Sequence, residues 1–198
     1  MSLFLPTYFS PISQFSKIVN TNEVIFEVED NYVKQTYRNR CYIFGANGKQ
    51  ALNIPVKFKS TLNKKKTKDA LVDNSSNWQS HHLKSLQSAY RNSPFFEFYI
   101  DDLLPIFEKK YHFLMDVNID TFLVIADALE INTTFSKTKE YNINPLEKDF
   151  RFLADLKNNS ESTTKKYIQM FDDKHGFTPD LSILDLLFME GPNVINIL

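Results

Sequence analysis

The 198-residue chain is 42% hydrophobic and 24% charged, enough to bury a sizeable core; this excludes disorder over the whole length and sets the size at one domain or two small ones. With 23 Lys and Arg against 24 Asp and Glu, a net charge of -1 gives no global reason to coat nucleic acid or an anionic membrane. The single cysteine, Cys41, excludes an intrachain disulfide and cannot alone supply a multi-cysteine zinc site.

The start, MSLFLPTYFSPIS, has neither a basic n-region nor a sustained apolar run, and no segment approaches 18 uninterrupted apolar residues. The expectation is a cytoplasmic protein with no membrane insertion and no nucleic-acid partner.

Residues 2–5 read as a short apolar strand, followed by a turn rich in hydroxyls and prolines: Pro6, Thr7, Tyr8, Ser10 and Pro11. A helix comes next, with Ser10 as N-cap, Pro11 at the first helical position, and Ile12, Phe15 and Val19 at helical spacing. Residues 23–30 (EVIFEVED) alternate Val24, Phe26 and Val28 against acids, the pattern of a half-buried strand. Residues 40–44 and 51–56 flank GANGK, whose Asn47-Gly48 pair predicts an antiparallel hairpin.

Residues 57–68 hold six lysines and no acid, which predicts a solvated loop without counter-ions. Helix returns at Ser76 or Asn77, with Trp78, His82, Leu86 and Ala89 on one face. A second helical stretch, 95–115, is interrupted by Pro105, and a third takes Asn118 as its cap. Residues 133–135 form a possible strand. Residues 147–156 form a possible helix between polar stretches, and 181–189 with Gly191-Pro192 close the chain. The order predicts a single α/β domain over residues 1–198, with a Rossmann-like strand-helix-strand start, an antiparallel hairpin and several helices.

With four glycines the chain has neither GxxxxGK[ST] nor GxGxxG, and HExxH and EF-hand loops are absent; no cofactor is identified and no metal site is expected. Four groups could carry chemistry. Arg38 and Arg40 flank Asn39 near Lys34, and in a strand the two arginines would share a face and could clamp one phosphate or carboxylate. The competing reading pairs them with Glu27 or Glu29. Tyr8 and Ser10 lie in the first turn, where open α/β sheets bind ligands, although Ser10 also serves as a plain cap.

His82 projects with Trp78 and Leu86 and is a candidate general acid or base, against the alternative of a satisfied core histidine. Cys41 reads as a small structural residue rather than a nucleophile. Ser182 and Asp185 have the spacing of a helix capping device.

The blocks LPTYFSPISQFSKIV, DNYVKQTYRNRCYI, WQSHHLKSLQSAYRNSPFFEFYIDDL and HGFTPDLSILDLLFMEGP, in this order along nearly the whole chain, resemble the WbqC-like protein family of bacteria. The family's opening His-Gln-Pro stands here as Phe4-Leu5-Pro6, and its LLFNEGP as LLFMEGP with Met189. The resemblance implies a role in surface-polysaccharide, O-antigen or capsule, biosynthesis. Two function classes follow. One is a transferase-like protein that binds an anionic small molecule (a phosphorylated or activated sugar, nucleotide or acyl donor). The other is a non-catalytic binding or scaffold protein of the same pathway.

Overall fold

The computed structural model describes residues 1–58, 65–156 and 164–198. The chain opens with β1 (Ser2–Phe4), α1 (Ile12–Ile18) and β2 (Glu23–Phe26). A hairpin of β3 (Arg40–Gly45) and β4 (Gly48–Asn53) follows, then β5 (Val56–Lys57), which pairs antiparallel with β6 (Leu71–Val72). The helices α2 (Trp78–Tyr90), α3 (Phe96–Glu108) and α4 (Leu114–Ala128) precede β7 (Thr134–Lys137) and β8 (Lys148–Asp149). Short α5 (Asp172–His175), then α6 (Ile183–Glu190) and α7 (Val194–Ile197) end the chain.

Strands β7, β2, β1 and β8 lie side by side in that order, all parallel, with Phe4 opposite Phe26 and Val24 opposite Phe135. Within this sheet the sequence order is third, second, first, fourth, the order of the first four strands of a dinucleotide-binding sheet. The strand order reverses at β1, so the crevice beyond the carboxyl ends of β1 and β8 is where such a sheet holds a ligand. The α/β class and the Rossmann-like opening are therefore as the sequence predicts.

Val24, Phe26 and Val28 are buried as their alternation requires, and rings dominate the core: Phe26 meets Phe122 edge-on at 5.1 Å and Phe4 stacks on Phe150 at 5.3 Å. Buried α6 packs against α1, α3 and β3, and its N-terminus is fastened by Ser182, whose backbone N–H donates to Tyr42 O and whose hydroxyl donates to Phe9 O. Just beyond it, Gly191 has φ +52, and a Cβ there would sit 2.5 Å from the Phe95 ring. Only glycine satisfies both constraints.

Several local expectations change. Ser10 does not cap α1: Pro11 holds the N-cap position with no side-chain bond, because the Ser10 hydroxyl accepts from Thr7 Oγ1 at 2.6 Å. The hairpin turn falls on Ala46 and Asn47, with Gly48 (φ +95) at the head of β4 opposite Gly45. Pro105 sits inside the last turn of α3, and the helix stops after Glu108. Asn118 lies within α4, fully buried, rather than at its cap. Instead of a helix, residues 147–156 hold β8 and a 3-10 turn at Arg151–Ala154, since backbone pairing with β1 claims the start of the stretch.

Of the lysine-rich segment, residues 59–64 lie outside the described residues. Its end is not without counter-ions: Lys66 and Lys68 both bind Glu29, Lys68 at 2.6 Å, and Lys57 pairs with Asp73 at 3.2 Å.

Candidate functional site

The carboxyl end of the parallel sheet gathers an unusual number of charged groups away from water. β2 ends at Phe26, so the next residue leaves the strand alternation, and Glu27 turns inward to 1% exposure instead of facing solvent. Its Oε1 accepts from the Glu29 backbone N–H at 2.7 Å and from Thr138 Oγ1 at 2.8 Å. Its Oε2 is buried without a hydrogen bond and forms an ion pair with Arg151 Nη1 at 3.7 Å. The Arg151 guanidinium is otherwise filled by Asp149, at 2.7 Å from Nη2, and by the carbonyls of Asn142 and Ile143.

Three residues further on, Asp30 forms a buried ion pair with Arg38, Nη2 to Oδ2 at 2.6 Å. Arg38 Nη1 also donates to Thr36 Oγ1 at 3.2 Å. This turn, in which the Asn39 N–H donates to Thr36 O, is docked on the first turn of the chain. Asn118 makes the connection, its Nδ2 donating both to Pro6 O at 3.0 Å and to Arg38 O at 2.9 Å, and Tyr8 N–H donates to Tyr37 O. A helix-interior asparagine thus ties the carboxyl end of β1 to the arginine segment.

The two arginines do not share a strand face. Arg38 precedes β3 in a turn and is consumed by an acid, though Asp30 rather than Glu27 or Glu29. Arg40 opens β3, half-buried on the same side as Tyr42; its one hydrogen bond among the described residues is Nη1 to the Tyr42 hydroxyl at 3.3 Å, and its Nε is buried and unpartnered. Both still act on one neighbour: burial raises the Tyr32 phenol, and the charges of Arg38 and Arg40 pull it the other way. Asn39 donates from Nδ2 to Ile54 O, while its Oδ1 is buried without a partner. Lys34 is exposed.

Tyr8 and His82 are brought together. Asn53 O can only accept, so His82 Nε2 carries the proton toward it at 3.2 Å and Nδ1 accepts from the Tyr8 hydroxyl at 2.9 Å. Burial lowers the His82 pKa to about 4, keeping the ring neutral near pH 7, and with 4% exposure both nitrogens serve protein groups. Burial likewise drives the Cys41 thiol far above its usual range, as a structural cysteine requires.

A further buried acid, Asp185, lies in α6. Ser182 is the N-cap, accepting from Leu184 N–H at 3.3 Å, but Asp185 does not fold back as in a capping box. Its two oxygens accept from Tyr90 at 2.6 Å and Tyr167 at 2.5 Å, and burial raises its pKa to about 6. Two grooves, of 410 Å³ between the hairpin tip and α2 and of 310 Å³ at the start of α2, involve none of these charged groups. Among the described residues no three His, Cys, Asp or Glu side chains cluster as metal ligands, and no helix is long and apolar enough to cross a membrane.

Sequence reasoning missed Glu27, Asp30, Asn118 and Arg151. Glu27 was legible only as an acid about twenty residues beyond the turn of a strand-turn-helix-strand unit, where dinucleotide-binding sheets place their ribose-binding carboxylate.

No solved structure matches the chain. It is 25% identical over 206 residues to the uncharacterized protein Rv1507c of Mycobacterium tuberculosis, an alignment covering 89% of this chain and 87% of that protein. The model of the WbqC-like protein family matches residues 6–164, which contain the first turn, the arginine segment and the crossover to Arg151. The chain therefore belongs to the WbqC-like protein family.

Proposed function

We propose that the protein binds an anionic small molecule, a phosphorylated or activated sugar or a nucleotide, beyond the carboxyl ends of the parallel strands, and serves as a transferase-like component of bacterial surface-polysaccharide biosynthesis. One observation carries the reading: Arg40, two residues after the Arg38 that Asn118 ties to the first turn, has no acidic partner among the described residues and keeps a buried Nε without an acceptor, whereas Arg38 is neutralised by Asp30. A half-buried guanidinium left open is a docking group for phosphate or carboxylate. Arg38 and Asn39 then hold the segment in place, Lys34 adds charge at the rim, and Tyr8, Ser10 and His82 fix the first turn from behind.

The test is a thermal-shift screen of nucleotide-sugars, sugar phosphates, nucleotides and acyl donors, repeated on Arg40→Ala. A ligand at 100 times its Kd stabilises by about 2.7 kcal/mol, on the order of 5–10 °C for a chain of this size. A shift that survives unchanged in Arg40→Ala rejects the site. A scaffold role is the second reading, favoured by the exposed Tyr141, Ile143 and Leu146, the last fully exposed, on the crossover between β7 and β8. It moves ahead if no compound shifts the melting temperature.

A further inference from the structure

We infer that Glu27 accepts hydrogen bonds from a vicinal diol of the bound ligand, the ribose of a nucleotide, at the carboxyl end of β2. The inference rests on the anion-binding reading above and makes it more specific.

Three independent features converge on this carboxylate. The first is topological: the parallel order of β7, β2, β1 and β8 with a helical connection from β1 to β2 matches the first four strands of a dinucleotide-binding sheet, and Glu27 is the first residue beyond β2. In that arrangement an acid at this point faces the sugar of a ligand whose phosphates lie near the turn after β1. The second is orientation. Glu29 N–H and Thr138 Oγ1 both bind Oε1, which fixes the carboxyl plane and leaves Oε2 as the free end.

The third is the unmet valence. Oε2 belongs to a side chain 1% exposed and has no hydrogen bond, so its desolvation is offset only in part, by the ion pair with Arg151. Arg151 Nη1 pairs with it electrostatically at 3.7 Å but makes no hydrogen bond, because Asp149 and two crossover carbonyls already take up the guanidinium N–H groups. Two hydroxyls on adjacent carbons supply the donors that Oε2 lacks.

Thr138 and Arg151, on either side of the crossover, both contact Glu27, so the ligand reaches Oε2 when Arg151 and the crossover it holds move aside. Residues 138–147 are mostly solvent-exposed, and the ties to be broken are those of Arg151 to the Asn142 and Ile143 carbonyls. Thr138, bonded to Phe26 O, Val28 N–H and Glu27 Oε1, stays in place as the hinge end.

The experiment is titration calorimetry on the full chain with the four common ribonucleoside diphosphates, their 2′,3′-dideoxy counterparts and inorganic pyrophosphate. At least one ribonucleoside diphosphate should bind roughly ten- to a hundredfold tighter than its dideoxy counterpart. Glu27→Gln should abolish that preference while pyrophosphate binds no more weakly than before. Equal binding of ribo and dideoxy forms to the unmodified chain overturns the inference, and this comparison stands even if Glu27→Gln does not fold. A preference that persists in a folded Glu27→Gln also overturns it. If pyrophosphate binds in an Arg40-dependent way without any ribose preference, only the diol assignment falls. If neither pyrophosphate nor any nucleotide binds, the diol assignment and the nucleotide form of the anion-site reading fall together.

Discussion

The Tyr8 hydroxyl meets Nδ1 of His82 at 2.9 Å, joining the first turn of the chain to a helix 74 positions later with both side chains buried. Because burial holds His82 at about 4, below its usual 6.5, the folded state binds fewer protons than the unfolded chain between these values. Stability from this group is present above pH 6.5 and is lost as pH falls toward 4, a change on the order of 3 kcal/mol across the window. His82→Gln should flatten that part of a urea-unfolding series taken at stepped pH. A folded variant with the parent slope rejects the assignment.

Asp185 works in the opposite sense. Its folded pKa of about 6 lies above the ordinary 3.8, so the native chain binds the extra proton and this contribution weakens as pH rises from about 4 to 6. Asp185→Asn keeps the shape and removes the titration, so the acid-side loss caused by His82 should become steeper in that variant. Tyr167→Phe should destabilise by about 1–3 kcal/mol, because it leaves a buried carboxylate oxygen short of its closest donor. Chemical denaturation at stepped pH measures the first, and at one fixed pH the second.

The two arginines should separate cleanly. Arg38→Ala strands Asp30 inside the protein and should cost about 3–5 kcal/mol of stability, a loss that Arg38→Lys restores only in part because the fork is gone. Arg40→Ala removes no ion pair among the described residues and should change stability by about 1 kcal/mol or less, while weakening ligand binding roughly ten- to a hundredfold. Equal destabilisation by the two alanine variants would remove the distinction.

Cys41 is fully buried, and its thiol is held in the protonated form by desolvation. It should resist a thiol reagent such as dithiobis-nitrobenzoate in native buffer at pH 8 and react fully in denaturant. Rapid native labelling would make the cysteine a reactive group rather than a packing one.

At Gly191 the added Cβ of alanine would enter the Phe95 ring at 2.5 Å with the backbone at φ +52. Gly191→Ala should destabilise by roughly 2 kcal/mol or more, read from the urea midpoint. Truncating the obstructing ring in Gly191→Ala/Phe95→Leu should recover part of the steric share, and no recovery would place the whole effect in the backbone.

Local pattern determined the elements whose signals are short-range. The alternation of Val24, Phe26 and Val28 marked β2, the helical spacing of Trp78, His82 and Leu86 marked α2, and the Asn47-Gly48 region marked the hairpin, because each depends on side chains within a few positions of one another. Tertiary structure decided where the polar groups are spent. Ser10 had the right spacing for a cap but found Thr7; Asn118 resembled a cap but bridges Pro6 and Arg38, 112 and 80 positions away; Asp185 had a capping position and went to two tyrosines. Glu27 and Arg38 looked like solvent-facing charges on strands. One strand stops at Phe26 and the other starts only at Arg40, so both side chains turn inward. A hydrogen bond or ion pair is satisfied by whichever partner the folded chain brings within about 3 Å, and that distance depends on the path of the whole chain, which no local window contains.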